Sequence, residues 1–174
     1  FYRKIAPLVR RERTARSFSY TGTAFALVKN RMIHFHIVTL FPESIEGYLN
    51  ASIIGKAQEK KKIKVSYYNP RDFTREKDAR VDRRPYGGGP GMVLEPDAIL
   101  RAVAKAVGTK KDVEIIFFAT DGEQLTESMS QTLSNKKHIV FICGHYEGID
   151  ARVEHILKAR LVTVGPFVLT GGEL

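Results

Sequence analysis

From Met32 onward strand-like and helix-like runs take turns along the chain, and that alternation restricts the fold more than any other feature. Ile33-His34-Phe35-His36-Ile37-Val38-Thr39-Leu40 reads as a strand, and a helical stretch over about 44–61, interrupted near Gly55, follows it. Residues 63–68 alternate apolar and polar, the pattern of a half-buried strand. Glu95-Pro96-Asp97 opens a helix that runs to about Val107, with Pro96 suited to its first turn and Gly108 to its end. Residues 113–119 and 138–143 are apolar runs typical of buried strands, and 126–133 is a short helix. Asp150 is placed to cap a helix reaching about Leu157, and 160–164 and 167–169 are strand-like. The pattern predicts an α/β domain, a mostly parallel sheet with helices on both faces. Residues 69–92 are expected to form a long loop whose charged middle, 74–84, is mobile.

Within that loop, Arg84-Pro85-Tyr86-Gly87-Gly88-Gly89-Pro90-Gly91-Met92 holds four glycines and two prolines in nine residues. Neither helix nor central strand tolerates this composition, because Pro90 has no N–H and the glycines carry no side chain to pack. Chains keep such segments where backbone must pass close to a ligand or to other backbone. Tyr86 and Met92 border the glycines, where a solvated linker would carry Ser, Glu or Lys.

Three further loops follow the carboxyl ends of expected strands, the place where open α/β sheets bind ligands. They are Thr120-Asp121-Gly122-Glu123, Gly144-His145-Tyr146-Glu147-Gly148-Ile149-Asp150, and Gly165-Pro166-Phe167-Val168-Leu169-Thr170-Gly171-Gly172-Glu173. Glycine-rich main chain can offer donors and acceptors to the edge of a purine. No Gly-Lys-Ser/Thr follows a glycine run, so a phosphate-binding Walker loop is excluded, and dinucleotide-binding spacing is absent too. His145 receives a structural reading. Glu147, between glycines, can accept hydrogen bonds from a base or position a cation.

At 174 residues and 43% hydrophobic content the chain suits one domain with a real core. No apolar run is long enough for a membrane span. The lone Cys143 fits a reducing cytoplasm. Five histidines without ligand spacing argue against a metal site. The net charge of +9 is mostly an amino-terminal property: residues 1–31 carry +7 and residues 32–174 only +2. Residues 1–31 lack any sustained period. They read as a disordered basic arm, a transit-like peptide, or translated sequence upstream of a start at Met32, the last being favoured. The expected organisation is thus a basic extension over 1–31 and a domain over 32–174 that is cut short at its carboxyl end.

Taken in order, Leu40-Phe41-Pro42-Glu43, Pro70-Arg71-Asp72-Phe73, Val81-Asp82, the 84–92 run, Cys143-Gly144-His145-Tyr146-Glu147-Gly148-Ile149-Asp150 and Thr170-Gly171-Gly172-Glu173-Leu174 closely resemble the bacterial tRNA (guanine-N1)-methyltransferases, the TrmD family. The resemblance spans residues 32–174. It implies a SPOUT-type fold with a trefoil knot, here expected to be incomplete. It also implies S-adenosylmethionine as cofactor, with Mg2+ as a further candidate, and a cytoplasmic homodimer acting on tRNA. The implied reaction places a methyl group on N1 of the guanosine 3′ of the anticodon. By position, Gly144, Tyr146, Gly148, Val164, Gly165, Pro166, Phe167, Val168, Leu169, Gly171 and Gly172 would contact cofactor. Tyr86, Gly87, Gly88, Gly89, Pro90, Gly91 and Met92 would form a substrate loop, and Glu147 and Asp82 would assist at the guanine.

Two departures from the family pattern stand out: Gly165-Pro166-Phe167 in place of Gly-Asp-Tyr, and Ala119-Thr120-Asp121-Gly122 in place of Ser/Thr-Pro-Gln-Gly. The first removes an N–H donor. The family's main catalytic aspartate and an arginine are expected beyond Leu174, which predicts little activity for the chain by itself. Two alternatives stay open: a SPOUT module that binds cofactor or RNA without chemistry, and a SPOUT methyltransferase for another RNA.

Overall fold

The computed structural model describes residues 32–174, so the expectations for residues 1–31 lie outside the described residues. In chain order the elements are β1 (Ile33–Val38), α1 (Glu43–Leu49), α2 (Ser52–Glu59), β2 (Ile63–Tyr68), a 3-10 turn (Pro70–Phe73), β3 (Asp82–Arg83), β4 (Val93–Leu94), α3 (Pro96–Val107), β5 (Val113–Gln124), α4 (Glu127–Leu133), β6 (His138–Ile142), α5 (Arg152–Leu157) and β7 (Arg160–Thr163). Five strands form one parallel sheet in the order β2-β1-β6-β5-β7, and β3 pairs antiparallel with β4 in a separate ribbon.

Both faces of the sheet are apolar, and each is covered by helix. On β6, Val140 and Ile142 point to one side and Ile139 and Phe141 to the other. The first side joins Val38 and Phe117 to α3 and α5. α3 suits this position because Ala98, Ile99, Ala102, Val103 and Ala106 fall on one stripe and are all buried. Pro96 starts it, and Gly108, at φ 52°, ends it. The second side packs Ile116, Ile139 and Val162 against Met129 and Leu133 of α4, whose amino end is capped by the Thr126 hydroxyl accepting from Met129 N–H.

The order of strands creates a switch point between the two central ones. The chain leaves β1 for β2 on one side and leaves β6 for β7 on the other, so the loops after β1 and β6 diverge. A crevice at the carboxyl ends of such a pair is where α/β sheets hold ligands.

Several expectations are corrected. The helix over 44–61 breaks at Asn50 and Ala51 rather than at Gly55, which lies buried inside α2. A Cβ at Gly55 would collide with the Asn50 carbonyl, so this glycine marks a close approach and not a break. Residues 120–123 are not a loop; they continue β5, with a register jump in which Phe118 and Glu123 both face Val162. The 69–92 segment is not structureless. It holds the 3-10 turn and β3, and Arg83 joins Glu76 (3.0 Å) to Glu95 (2.7 Å) while Val81 is buried beneath. Residues 167–169 form no strand. Asp150 precedes the N-cap position, Ala151, and its carboxylate accepts from Arg152 N–H.

Candidate functional site

The loops and strand ends that wall the site are held to one another by backbone. β6 runs out at Cys143, whose N–H donates to Val38 C=O and so ties the ends of the two central strands together. The 144–150 loop turns back on itself through Gly148 N–H to His145 C=O, with Tyr146 at φ 60° and Gly148 at φ 118°. A left-handed tyrosine is a strained feature, tolerated where the surroundings hold it. β4 provides that hold: Glu147 N–H donates to Met92 C=O, Leu94 N–H to Gly148 C=O, and Asp150 N–H to Leu94 C=O, each at 3.0 Å.

The 165–174 segment is fastened to the same loop. Gly172 N–H donates to Gly144 C=O at 2.9 Å, and His145 and Gly171 form an antiparallel bridge. Glu173, almost fully buried, takes the Thr39 hydroxyl on one oxygen and lies 2.9 Å from His145 Nε2 on the other. His145 also sets the edge of its ring against Phe41. One carboxylate therefore joins the end of β1, the loop after β6 and the last residues of the chain. The structural reading of His145 gains a specific partner, which lies 28 residues away in sequence and has no local signal.

Between these walls lies a cavity of ≈ 640 Å³. It is lined by 143–149, by Val162–Val164 and residues 167–174, by Phe117, Phe118, Ala119, Thr120 and Asp121 of β5, by Ile37 and Phe141, and by Ile45, Tyr48 and Leu49 of α1. The size is that of a small-molecule site. Of the residues expected at a cofactor, Gly144, Tyr146, Gly148, Val164, Phe167, Val168, Leu169, Gly171 and Gly172 line it; Gly165 and Pro166 do not. Gly165 lies under the Phe167 ring, and its carbonyl accepts from both the Thr163 hydroxyl and Phe167 N–H.

The 86–92 loop is not part of the cavity wall. It lies on the far side of Glu147, close enough that a side chain at Gly91 would run into the glutamate. Gly87, Gly88, Gly89 and Gly91 all have positive φ, and Tyr86, 90% exposed, reaches Arg152 through its hydroxyl at 3.5 Å. Glu147 thus stands between the glycine loop and the cavity, and its carboxylate makes no side-chain hydrogen bond or ion pair with the described residues. Asp82 is separate: it sits in the β3–β4 ribbon, 3.9 Å from Arg80, and does not reach the cavity. Arg152 grips Asp150 at 2.8 Å and holds its carboxyl below the usual range. Sequence reasoning missed α1 as a wall, since it carries no motif; Thr120 and Asp121, from the first of the three expected loops, do line the cavity, though as part of β5.

Cys143 is 4% exposed, and burial, reinforced by the Glu173 carboxylate, pushes its thiol pKa up. The thiolate is the reactive form. Native protein is therefore expected to resist dithiobis-nitrobenzoate for hours and to titrate one thiol in urea. Rapid native labelling would contradict this burial.

A family model described as tRNA (Guanine-1)-methyltransferase TrmD matches residues 33–174. Similar proteins include the tRNA (guanine-N(1)-)-methyltransferase of Dictyoglomus turgidum, 43% identical over 143 residues, covering 82% of this chain and 57% of that protein. That of Brevibacillus brevis is 45% identical over 138 residues, covering 79% and 56%. Among solved structures, the crystal structure of tRNA (m1G37) methyltransferase from Aquifex aeolicus superposes with a TM-score of 0.73 at 36% identity, covering 82% of this chain and 64% of that one. The chain spans a little over half the length of the curated relatives it matches.

Proposed function

This chain belongs to the tRNA (guanine-1)-methyltransferase TrmD family, and from that premise we propose that its 32–174 domain binds S-adenosylmethionine and serves methyl transfer to N1 of the guanosine 3′ of the anticodon in tRNA. The observation that carries the proposal is the ≈ 640 Å³ cavity at the switch point, walled by the 144–150 loop and the last residues of the chain.

The residues present fit such a cofactor. Glycines at 144, 148, 171 and 172 leave stretches of the cavity wall without side chains, so that a flat base can approach the main chain closely, while Phe167, Leu169 and Ile149 provide apolar wall. The bound cofactor would supply an activated methyl group on its sulfonium, which leaves the protein mainly orientation and proton removal. Guanine N1 carries a proton at neutral pH, and a carboxylate is the natural acceptor. Glu147 is placed to face a base held between the cavity and the 86–92 loop, with its carboxylate uncommitted to other described side chains. Asp121 is a second carboxylate on the cavity wall. Glu173 is not a candidate, because Thr39 and His145 occupy both its oxygens. Asp82 would act only from the β3–β4 ribbon, outside the cavity. Homodimerisation, a cytoplasmic location and Mg2+ belong to this reading as proposals. Among the described residues no helix is long and apolar enough to cross a membrane.

Calorimetric titration of the 174-residue chain with S-adenosylmethionine tests the cofactor site, and transfer of labelled methyl to unmodified tRNA tests the reaction. Glu147→Gln is expected to leave cofactor affinity within about two-fold and to lower whatever transfer is measured by about tenfold or more. A folded chain that takes up no cofactor would overturn the assignment of the cavity. Cofactor uptake with methyl placed on another atom of the RNA would overturn the assigned target.

A further inference from the structure

Three of the five histidines meet at the amino-terminal end of the sheet, away from the cavity. His34 and His36 are two residues apart on β1, so their side chains leave the same face. The β1–β6 register sets His138 beside His34. One ring nitrogen of each lies within 4.8 Å of the other two. His36 is fully buried, and the other two are half-buried.

The spacing and the outer contacts both suit a metal. His36 Nε2 and His138 Nδ1 are 3.3 Å apart. Two nitrogens bound tetrahedrally to Zn2+ at about 2.0–2.1 Å stand about 3.3–3.4 Å from each other. The far nitrogens of two rings already have hydroxyl partners: His34 Nε2 lies 2.8 Å from Ser66 Oγ, and His36 Nδ1 lies 3.1 Å from Tyr68 Oη. With those nitrogens donating to the hydroxyls, the lone pair of His34 Nδ1 is left for a ligand and that of His36 Nε2 meets His138 Nδ1 in a hydrogen bond that a shared metal would replace; outer partners of this kind are how metal-binding imidazoles are usually oriented.

We propose that His34, His36 and His138 form a Zn2+ site that fastens β1 to β6. Three imidazoles with no carboxylate select a late first-row ion over Mg2+ or Ca2+, which need oxygen ligands. The role is structural. Ile37 lines the cavity, but it leaves the sheet on the face opposite His34 and His36, so the metal does not take part in chemistry at the cavity.

The test uses the full chain, stripped with chelator and titrated with Zn2+ alone by calorimetry. Co2+ serves as the optical probe. One equivalent of Zn2+ is expected to bind, Co2+ to show the strong visible absorption of a tetrahedral site, and saturating Zn2+ to raise the thermal midpoint by more than about 5 °C. His34→Ala and His138→Ala change half-buried positions and should fold, as circular dichroism will show. Each is expected to weaken Zn2+ binding at least 100-fold. Ser66→Ala, which removes only an orienting partner, should weaken it about tenfold. His155→Ala should leave it unchanged. Failure of the folded parent chain to bind Zn2+, or binding that survives both His34→Ala and His138→Ala, would overturn the site and leave a hydrogen-bonded imidazole cluster.

Discussion

Gly122→Ala is expected to lower the unfolding free energy by about 3 kcal/mol or more, the upper part of the range for overpacking, because the atoms in the way are backbone. A Cβ at this position would lie 2.5 Å from Val162 N and 2.7 Å from Leu161 C, both main-chain atoms of β7. No side chain can rotate aside to relieve the contact. Either β7 moves off the sheet, exposing Val162 from the core, or the 120–124 end of β5 lifts away and opens the cavity wall at Thr120 and Asp121. Gly47→Ala is the matched control. Nothing lies within 4 Å of a Cβ there, and Gly47 sits inside α1, so alanine should be neutral or stabilising by about 0.5–1 kcal/mol. Urea midpoints of the two variants give the comparison. If Gly122→Ala unfolds within about 0.5 kcal/mol of the parent, β7 yields to a Cβ at position 122 and the close backbone approach does not restrict this residue.

The contrast between these two glycines shows what could be read from the sequence and what could not. α3 and the central strands were legible because their signals are local: period, an amino-terminal proline, a terminal glycine, apolar runs of strand length. Glycine, by contrast, marks a break, a turn or a close approach alike. At Gly55 that ambiguity put the helix break five residues too late, since the packing partner, the Asn50 carbonyl, defines itself only after the chain has folded back. The apolar trio Phe167-Val168-Leu169 reads as strand by composition, yet it borders the cavity instead of joining the sheet. The charged middle of the 69–92 segment reads as mobile in sequence because Arg83 finds Glu76 and Glu95 only across the β3–β4 ribbon. The histidine cluster was illegible for a related reason. Its spacing in sequence is 2 and then 102 residues, and only the β1–β6 register brings the third ring to the first two. The glycines of the 144–150 and 165–174 segments carry a local signal, main chain without side-chain cover, that can be read wherever it lies in the fold. Even there the order of layers was hidden: the 86–92 loop backs Glu147 and does not enter the cavity wall.

Glu173→Ala is expected to cost about 2–4 kcal/mol of stability and to weaken S-adenosylmethionine binding by at least tenfold. The carboxylate is 4% exposed in its side chain and holds two partners from different parts of the chain, Thr39 and His145. Removing it leaves a buried hydroxyl and an imidazole without their acceptor, and stranded buried groups cost more than the net worth of the bonds they made. The consequence for binding follows from where those partners sit. His145 belongs to the 144–150 loop, and Gly171 bridges to it, so the carboxylate is the side-chain anchor shared by these two walls of the cavity. Glu173→Gln separates packing from charge: it keeps the volume and one acceptor oxygen, and should fall between parent and alanine in both measurements. Thr39→Val removes only the hydroxyl donor from the end of β1, so it should cost stability without the full loss of affinity. Urea unfolding and calorimetric titration on the same four proteins decide the matter. Loss of stability with unchanged cofactor affinity in Glu173→Ala would mean that the Gly172–Gly144 bond and the His145–Gly171 bridge suffice to hold the walls, and that the carboxylate serves folding and not the site.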